Sequence, residues 1–353
     1  MPRIVNRPDF QHIVDGNAVT YVDKKGDYSI VNQVNIDDNG HMNSAMESKY
    51  LDITKEATAR KMMTAAKKKQ LGIKKRDYIY HWKTTNKSFL NLYKDLCNLG
   101  IKNNKFFLKL YDKDLELVNP YQPGLPLDIQ LKIIFECIRN PWYFLREVCR
   151  IPEDGKPIEP GGGCQYIIDR NNCAVWYCVL NGIDVYDSKP RQTGKTQNAL
   201  AICNYAYHFG TQSTEIAFFN KKTEDAQMNL ARMKSQRDML PSYMHMKCAF
   251  VPSEFDDEIR QLPETNNVKT MINPVNSNKI KTFPRATTKE GAMSLGRGNT
   301  CAMMLSDEFD FQKYNLEIIN SSAPAYSRAS ENAENNGAMH ARIFTSTPQL
   351  CAT

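Results

Sequence analysis

Residues 188–196 read Ser-Lys-Pro-Arg-Gln-Thr-Gly-Lys-Thr, between a predicted strand and a predicted helix. A turn in that position points backbone N–H groups and the N-terminus of the helix at a polyphosphate. The Lys195 ammonium would then reach the β and γ phosphates, and the Thr196 hydroxyl would sit on Mg²⁺. The stretch therefore predicts a phosphate-binding loop, although Lys189 stands where the usual pattern has its first glycine.

An acidic pair supplies the second motif. The apolar run Cys301 to Ser306 ends in Asp307 and Glu308. A buried parallel strand would carry both carboxylates to the edge of the sheet where such folds bind ligands. Asp307 would hold Mg²⁺ and Glu308 would orient and polarise the attacking water. The alternative is the acidic start of a helix after a strand, which the helix dipole also favours; the upstream loop favours the catalytic interpretation.

The third motif is a strand that ends in hydroxyl residues. It runs from Arg342 and closes with Thr345, Ser346, Thr347 and Pro348. Hydroxyl groups beside a γ-phosphate can sense it, because gaining or losing a hydrogen bond to an anion shifts the local geometry. We expect this strand to lie beside the acidic strand, with the Ser346 and Thr347 hydroxyls facing the γ-phosphate.

Around these motifs, apolar runs alternate with helical patterns, which predicts an α/β fold with a mostly parallel sheet flanked by helices. The predicted strands are Ile183 to Asp187, Thr214 to Phe219, Ala302 to Ser306 and Arg342 to Ser346. The predicted helices include Lys195 to His208, Lys222 to Leu240, and a helix from Leu131 to Cys149 that is interrupted near Asn140 and Pro141.

The sequence divides into three zones, of which the last contains the alternating strands and helices. Residues 1–50 are a polar arm, 51–125 are a helical, basic N-terminal region that ends in the Pro/Gly-rich linker Pro120 to Pro126, and 126–353 form the α/β domain. The basic run within 55–76 could track phosphates, dock on another protein or be a solvated helix face. Those three interpretations stay open.

Composition restricts the class of protein. The 353 residues are 41% hydrophobic and carry a net charge of +7, which permits a polyanionic partner without demanding one. The ten cysteines form no Cys-x-x-Cys pair and are interpreted as reduced thiols. With neither an apolar signal-peptide core nor a long apolar run, the sequence predicts a protein that is not secreted and has no membrane contact.

Taken in their order along the chain, these motifs resemble those of the large terminase subunits of tailed bacteriophages. The similar stretches are Asn140 to Phe144, Gln165, Arg191 to Thr196, Phe219 to Lys221, Gly296 to Thr300, Asp307 with Glu308, and Thr345 to Pro348. The resemblance covers roughly residues 130–350, and the ordered set of motifs is far more specific than any single motif, including the loop with its early arginine and without the first glycine.

The resemblance implies a RecA-like P-loop NTPase with roles for particular residues. ATP would be bound by Gln165 at the adenine and by Gln192, Thr193, Gly194, Lys195 and Thr196 at the phosphates. Thr196 and Asp307 would hold Mg²⁺, Glu308 and Arg191 would be catalytic, and Arg297 rivals Arg191 as the charge-stabilising arginine. Thr345, Ser346 and Thr347 would couple hydrolysis to movement.

At the level of the whole protein, the resemblance implies the ATPase of a viral genome-packaging motor that drives double-stranded DNA into a capsid precursor. Its partners would be a portal protein, a small terminase subunit and further copies of the chain in a ring, in the host cytoplasm. The domain would be truncated before the end of its lid and the nuclease domain, so nuclease activity is not expected in this chain. The alternatives are a helicase-like nucleic-acid translocase and a non-enzymatic assembly module.

Overall fold

The computed structural model describes residues 78–245, 248–252, 259–297 and 301–348, and four strands among the first 77 residues. In those four strands, and at 248, 250–252, 259–260 and 296–297, only the backbone is described. The chain divides into two compact units, Met1–Asp77 and Tyr78–Thr353. The basic run predicted within 55–76 lies outside the described residues.

The first unit contains an antiparallel sheet of four strands in the order β1-β2-β3-β4. The strands are β1 Arg3–Arg7, β2 Phe10–Asp15, β3 Ala18–Asp23 and β4 Val34–Asn35.

The second unit is an α/β structure. Its strands are β5 Ile79–Tyr80, β6 Lys109–Leu110, β7 Arg150–Ile151, β8 Cys164–Gln165, β9 Val185–Ser188, β10 Glu215–Phe219, β11 Cys248–Pro252, β12 Ile259–Pro263, β13 Thr265–Asn266, β14 Thr270–Ile272, β15 Lys279–Thr282, β16 Cys301–Asp307 and β17 Ala341–Ser346. Its helices are α1 Lys87–Asn98, α2 Leu127–Arg139, α3 Arg170–Leu180, α4 Lys195–Tyr205, α5 Thr223–Asp238, α6 Lys289–Arg297 and α7 Asn315–Asn335. Short 3₁₀ turns lie at Phe106–Leu108, Lys113–Leu115, Ser242–Met244 and Phe309–Phe311, a helical turn at Pro141–Tyr143, and π-helical turns at Phe144–Val148 and Ala206–Gly210.

A seven-stranded sheet organises this unit, in the order β13-β14-β15-β10-β16-β17-β9. The strands from β15 to β9 are mutually parallel, whereas β13 and β14 extend the sheet in antiparallel fashion. All seven residues of β16 are buried, as expected of a central strand covered on both faces. The predicted fold class is confirmed, and so is the predicted pairing of the acidic strand with the hydroxyl-rich strand.

The helix α4 is enclosed by the rest of the unit. From Asn198 to Tyr205 every residue is buried, so the helix has no polar face. It extends the prediction for Lys195 to His208 because a π-helical turn continues it to Gly210. The interruption predicted near Asn140 is also present: the Asn140 side chain accepts a hydrogen bond from the Tyr143 N–H, and Pro141 occupies the first helical position.

The segment 78–125 belongs to the α/β unit, which differs from the boundary predicted at Pro120 to Pro126. Asn86 caps α1 and its side-chain amide donates to the carbonyls of Arg146 and Tyr166. The buried carboxylate of Glu136 accepts from the backbone N–H groups of Tyr111 and Asp112. These bonds satisfy buried polar groups across the predicted boundary, so the segment cannot separate without leaving them unpaired. Of the helical extension predicted over 51–125, the described part contains one helix, α1.

No helix in the described part of the chain is long and apolar enough to cross a membrane.

A buried cluster of ionisable side chains stabilises the start of the second unit. Glu147 Oε1 lies 3.2 Å from His81 Nδ1 and 2.8 Å from Arg146 Nε. The Arg146 guanidinium also donates to the carbonyls of Phe107 and Lys109. Burial by itself raises the pKa of Glu147, but the hydrogen bond with His81 and the charge of Arg146 outweigh it and lower the pKa to about 2. The carboxylate therefore stays charged in the folded protein over the usual pH range.

We expect Glu147→Gln to remove a pH-dependent part of the stability. Since the folded pKa of about 2 lies below the ordinary 4.5, the contribution is complete above that ordinary value and is lost as the pH falls toward 2. The difference in free energy of unfolding between wild type and variant should therefore shrink by roughly 3 kcal/mol from neutral to strongly acidic pH. Urea unfolding at several pH values measures it, with the exposed Glu153→Gln as control. A difference that stays constant with pH would contradict the argument.

Candidate functional site

The predicted phosphate loop joins β9 to α4 at the carboxyl edge of the sheet. Gly194 has a φ of +76°, a left-handed conformation that glycine adopts without steric cost. Its carbonyl accepts the first helical hydrogen bond, from the Asn198 N–H at 2.9 Å. Residues 190–194 are exposed, and the helix N-terminus opens beside them. The sequence therefore builds a turn whose backbone can approach an anion closely.

Lys189 stands at the position of the missing first glycine, and it is buried. Its Nζ lies 3.1 Å from Asp187 Oδ2 and donates to Asn172 Oδ1 at 3.1 Å. Its backbone N–H donates to the Ser346 carbonyl at 3.2 Å. Lys189 thus joins β9, α3 and β17 at the base of the loop. A lysine replaces the glycine here because its side chain turns inward to a buried partner, away from the space where phosphate would enter.

Asp307 is the centre of the site. Its carboxylate is buried and accepts hydrogen bonds from Asn229 Nδ2 at 2.9 Å and from the Thr345 hydroxyl. Thr196 Oγ1 lies 3.2 and 3.3 Å from its two oxygens, and Asn220 Nδ2 lies 3.5 Å away. The donors come from α4, from α5, from the end of β10 and from β17. All of these donors are neutral, so none of them neutralises the carboxylate as a cation would.

Lys195 and Glu308 face each other across the same edge. Lys195 is buried, and its Nζ donates to Thr347 Oγ1 at 2.8 Å and lies 3.9 Å from Glu308 Oε1. The Glu308 side chain is 22% exposed, which leaves it open to water. Glu308 has a φ of +52°, which is unusual for a residue with a side chain and tends to occur at functional sites.

The three hydroxyl residues at and just after the end of β17, Thr345, Ser346 and Thr347, contact three different parts of the site. Thr345 binds Asp307, and Thr347 binds Lys195. The Ser346 hydroxyl, which we expected to face the γ-phosphate, has a protein partner in this structure. Ser346 is fully buried, and its Oγ accepts from the backbone N–H of Asp310 at 3.2 Å. Side chains alternate along a strand, so Ser346 points away from the face that carries Thr345 and Thr347.

The remaining predicted residues lie at different places. Arg191, Gln192 and Thr193 are exposed on the loop, and the Thr193 hydroxyl donates to the Pro190 carbonyl. Gln165 lies on β8, where its amide donates to Thr85 Oγ1 at 3.0 Å beside a cleft of about 620 Å³. Arg297 ends α6, but its side chain and residues 298–300 lie outside the described part of the chain.

Two amides at the site were not among the predicted site residues. Asn220 was noted only as part of the stretch after β10, and Asn229 was missed. Asn229 lies inside α5, and its buried side chain reaches Asp307. A polar residue on the buried side of an otherwise regular helix is the one signal that could have revealed it, because such a residue needs a partner.

The donor set suits magnesium. One carboxylate and one hydroxyl, from Asp307 and Thr196, are oxygen ligands of the kind Mg²⁺ takes in nucleotide sites, where waters and phosphate oxygens complete the shell. Within the described residues, no group of three or more His, Cys, Asp or Glu side chains converges as in an all-protein metal site. A metal at Asp307 would therefore share its coordination with the substrate.

The strand order and the site together define the class. The hydroxyl-rich strand β17 lies between the loop strand β9 and the acidic strand β16, so loop, acidic pair and hydroxyl residues meet at one carboxyl edge. This is a P-loop-like α/β fold, a mostly parallel sheet flanked by helices with the loop at its carboxyl edge.

No protein-family model and no curated protein match the chain. Among solved structures, a point variant of the large terminase ATPase domain of Thermus phage P74-26 is 13% identical, with a TM-score of 0.34 over 53% of this chain and 67% of that one. The same domain without the substitution is 14% identical, with a TM-score of 0.29 over 47% and 59%. A large terminase from a thermophilic bacteriophage is 12% identical, with a TM-score of 0.32 over 50% and 38%. The likeness is partial, and the class assignment rests on this chain's own strand order and site.

The buried pair of Lys189 and Asp187 generates a stability prediction. Lys189→Met keeps the length of the side chain but leaves the Asp187 carboxylate buried without its cation, so we expect a loss of about 3–5 kcal/mol in the free energy of unfolding. Adding Asp187→Asn should recover part of the loss, and the exposed Lys94→Met serves as control. Urea unfolding measures all four proteins. Unfolding of Lys189→Met at the wild-type midpoint would show that the pair contributes nothing.

Proposed function

We propose that this chain hydrolyses Mg-ATP as the ATPase of a viral genome-packaging motor. The observation that carries the ATPase proposal is the convergence of Lys195, Thr196, Asp307 and Glu308 within hydrogen-bonding or ion-pair distance at one sheet edge. These side chains come from the helix after the loop and from the end of β16, far apart in sequence.

In this proposal the loop binds the triphosphate. The N–H groups of Gln192, Thr193 and Gly194 surround the phosphate oxygens, and Lys195 neutralises the β and γ phosphates as a point charge. Thr196 and Asp307 hold Mg²⁺, which supplies charge neutralisation on the phosphates. Gln165 remains the proposed adenine contact.

Glu308 is the proposed catalytic carboxylate. It is partly exposed and lies 3.9 Å from Lys195, so it can hold a water beside the phosphate that Lys195 binds. Arg191 is exposed on the loop, which suits an arginine that meets developing charge on the γ-phosphoryl group in its own subunit or a neighbour. Arg297 remains the alternative for that role.

Coupling is the proposed role of β17. Thr347 binds Lys195, Thr345 binds Asp307, and Ser346 binds the turn after Glu308. A change at the γ-phosphate can therefore reach β17 through three hydrogen bonds. The proposed ATPase unit begins at Tyr78, since the segment up to 125 is bonded into the core.

The motor assignment adds the partners. Double-stranded DNA would be the translocated polymer, with a portal protein, a small terminase subunit and a ring of further copies as the assembly in the host cytoplasm. The resemblance of the ordered motifs supports these proposals, and the net charge of +7 is compatible with a polyanion.

Two variants separate binding from hydrolysis. Lys195→Ala should weaken ATP binding by roughly two orders of magnitude, because the phosphates lose a charged hydrogen-bond donor. Glu308→Gln should bind Mg-ATP almost normally and hydrolyse it roughly two to four orders of magnitude more slowly. Calorimetric binding and phosphate release measure the two effects. If Lys195→Ala bound ATP with wild-type affinity, residues 188–196 would not be a phosphate-binding loop. If Glu308→Gln lost its affinity for Mg-ATP, Glu308 would be a binding or structural residue.

The motor assignment predicts that DNA and capsid precursors together accelerate hydrolysis and that DNA becomes protected from nuclease inside the capsid. The measurement follows ATP turnover and protected DNA with double-stranded DNA, with empty capsid precursors, and with both. Glu308→Gln is the matched control without turnover. Separation of duplex strands without protection would instead support a helicase-like translocase.

A further inference from the structure

The turn that carries Glu308 requires external support. Its left-handed φ of +52° persists only where the surroundings hold it. Gln312 fixes the start of the turn, since its amide donates to Ser306 Oγ and to the Asp307 carbonyl, both at 2.8 Å. Asn315 Nδ2 donates to the Phe309 carbonyl at 3.0 Å. Both supports lie in the chain segment that follows the turn itself.

Two further supports come from other strands and meet on one residue, Asp310. Its backbone N–H donates to Ser346 Oγ at 3.2 Å, and its carboxylate oxygen Oδ2 accepts from the Tyr186 hydroxyl at 2.5 Å. Ser346 ends β17. Tyr186 lies on β9, two residues before Ser188 and the phosphate loop. Asp310 therefore connects the turn of Glu308 both to the coupling strand and to the strand that carries the loop.

The hydrogen bond from Tyr186 to Asp310 is of a kind that can position the turn without adding much to the stability of the fold. The Tyr186 side chain is 52% exposed, and its ring meets Phe309 edge-on at 6.2 Å. A hydrogen bond at an exposed residue contributes little to global stability, because water offers nearly equal partners. Desolvation and the hydrogen bond to Asp310 raise the pKa of Tyr186, so the hydroxyl remains a donor.

We propose that Tyr186, Asp310 and Ser346 act as positioning residues that set the place of the Glu308 carboxylate relative to Lys195 and the attacking water. This inference rests on the proposed role of Glu308. Catalysis is sensitive to such placement, since a displacement of about 1 Å can cost on the order of 100-fold in rate. The same bonds provide a direct link from the loop strand to the catalytic turn, separate from the nucleotide.

The test removes one oxygen atom. Tyr186→Phe keeps the ring against Phe309 and removes the hydroxyl that donates to Asp310. We expect kcat for ATP hydrolysis to fall about 10-fold, while the Kd for Mg-ATP, the KM and the urea midpoint stay at wild-type values. Tyr177→Phe is the matched control: its side chain is 50% exposed and its ring packs on Phe106, apart from the residues of the site.

Two combinations distinguish positioning from general structure. Asp310→Ala removes the acceptor of the Tyr186 hydroxyl and should lower kcat at least as much as Tyr186→Phe, and adding Tyr186→Phe to it should lower kcat no further, because the bond is already absent. In the Glu308→Gln background, Tyr186→Phe should leave the residual turnover unchanged, since there is no carboxylate left to position.

Each outcome decides the inference. Wild-type kcat in Tyr186→Phe, a parallel loss of ATP affinity or stability, or a further loss in the Glu308→Gln background would overturn it while leaving the ATPase proposal intact. Absence of hydrolysis by the wild-type chain with DNA and capsid precursors present would overturn the proposed function, and this inference with it.

Discussion

The site depends on burying one carboxylate, that of Asp307. A buried charge is costly unless hydrogen bonds replace the water it loses. Here the replacement comes from two hydroxyls, two side-chain amides and the Glu308 N–H, which lies 3.1 Å from Asp307 Oδ1. Because these donors sit on α4, α5, β10 and β17, satisfying one side chain fixes four elements around the end of β16. The same requirement brings α4 and β17 into contact with Asp307.

Much of this arrangement is encoded locally and was predictable. The all-apolar run before Asp307 requires a strand buried on both faces, and the loop requires a strand before it and a helix after it. Parallel strands with crossover helices then bring their carboxyl ends to one edge, which is why Lys195, Thr196, Asp307 and Glu308 could be grouped from sequence.

Contacts that depend on tertiary packing could not be predicted from the sequence. Asn229 looks like an ordinary polar position on a helix until the rotation of α5 against the sheet is known. Ser346 and Thr347 are neighbours of the same chemical type, yet the pleat of the strand sends one to the turn after Glu308 and the other to Lys195. The contacts of 78–125 with the rest of its unit have a similar cause: prolines mark a bend in the chain, whereas bonds such as those of Asn86 and Glu136 depend on how distant segments pack.

Lys189 has a consequence for how this loop tolerates change. Replacing it with the glycine common in phosphate loops would look like a return to consensus, and consensus substitutions are often stabilising. Here the glycine would strip Asp187 of its cation and Asn172 of its donor while adding backbone freedom beside Pro190. The loop therefore depends on the buried contacts of Lys189. If the loop were exchanged with that of a relative that has the glycine, the residues at positions 172, 187 and 189 would have to be exchanged with it.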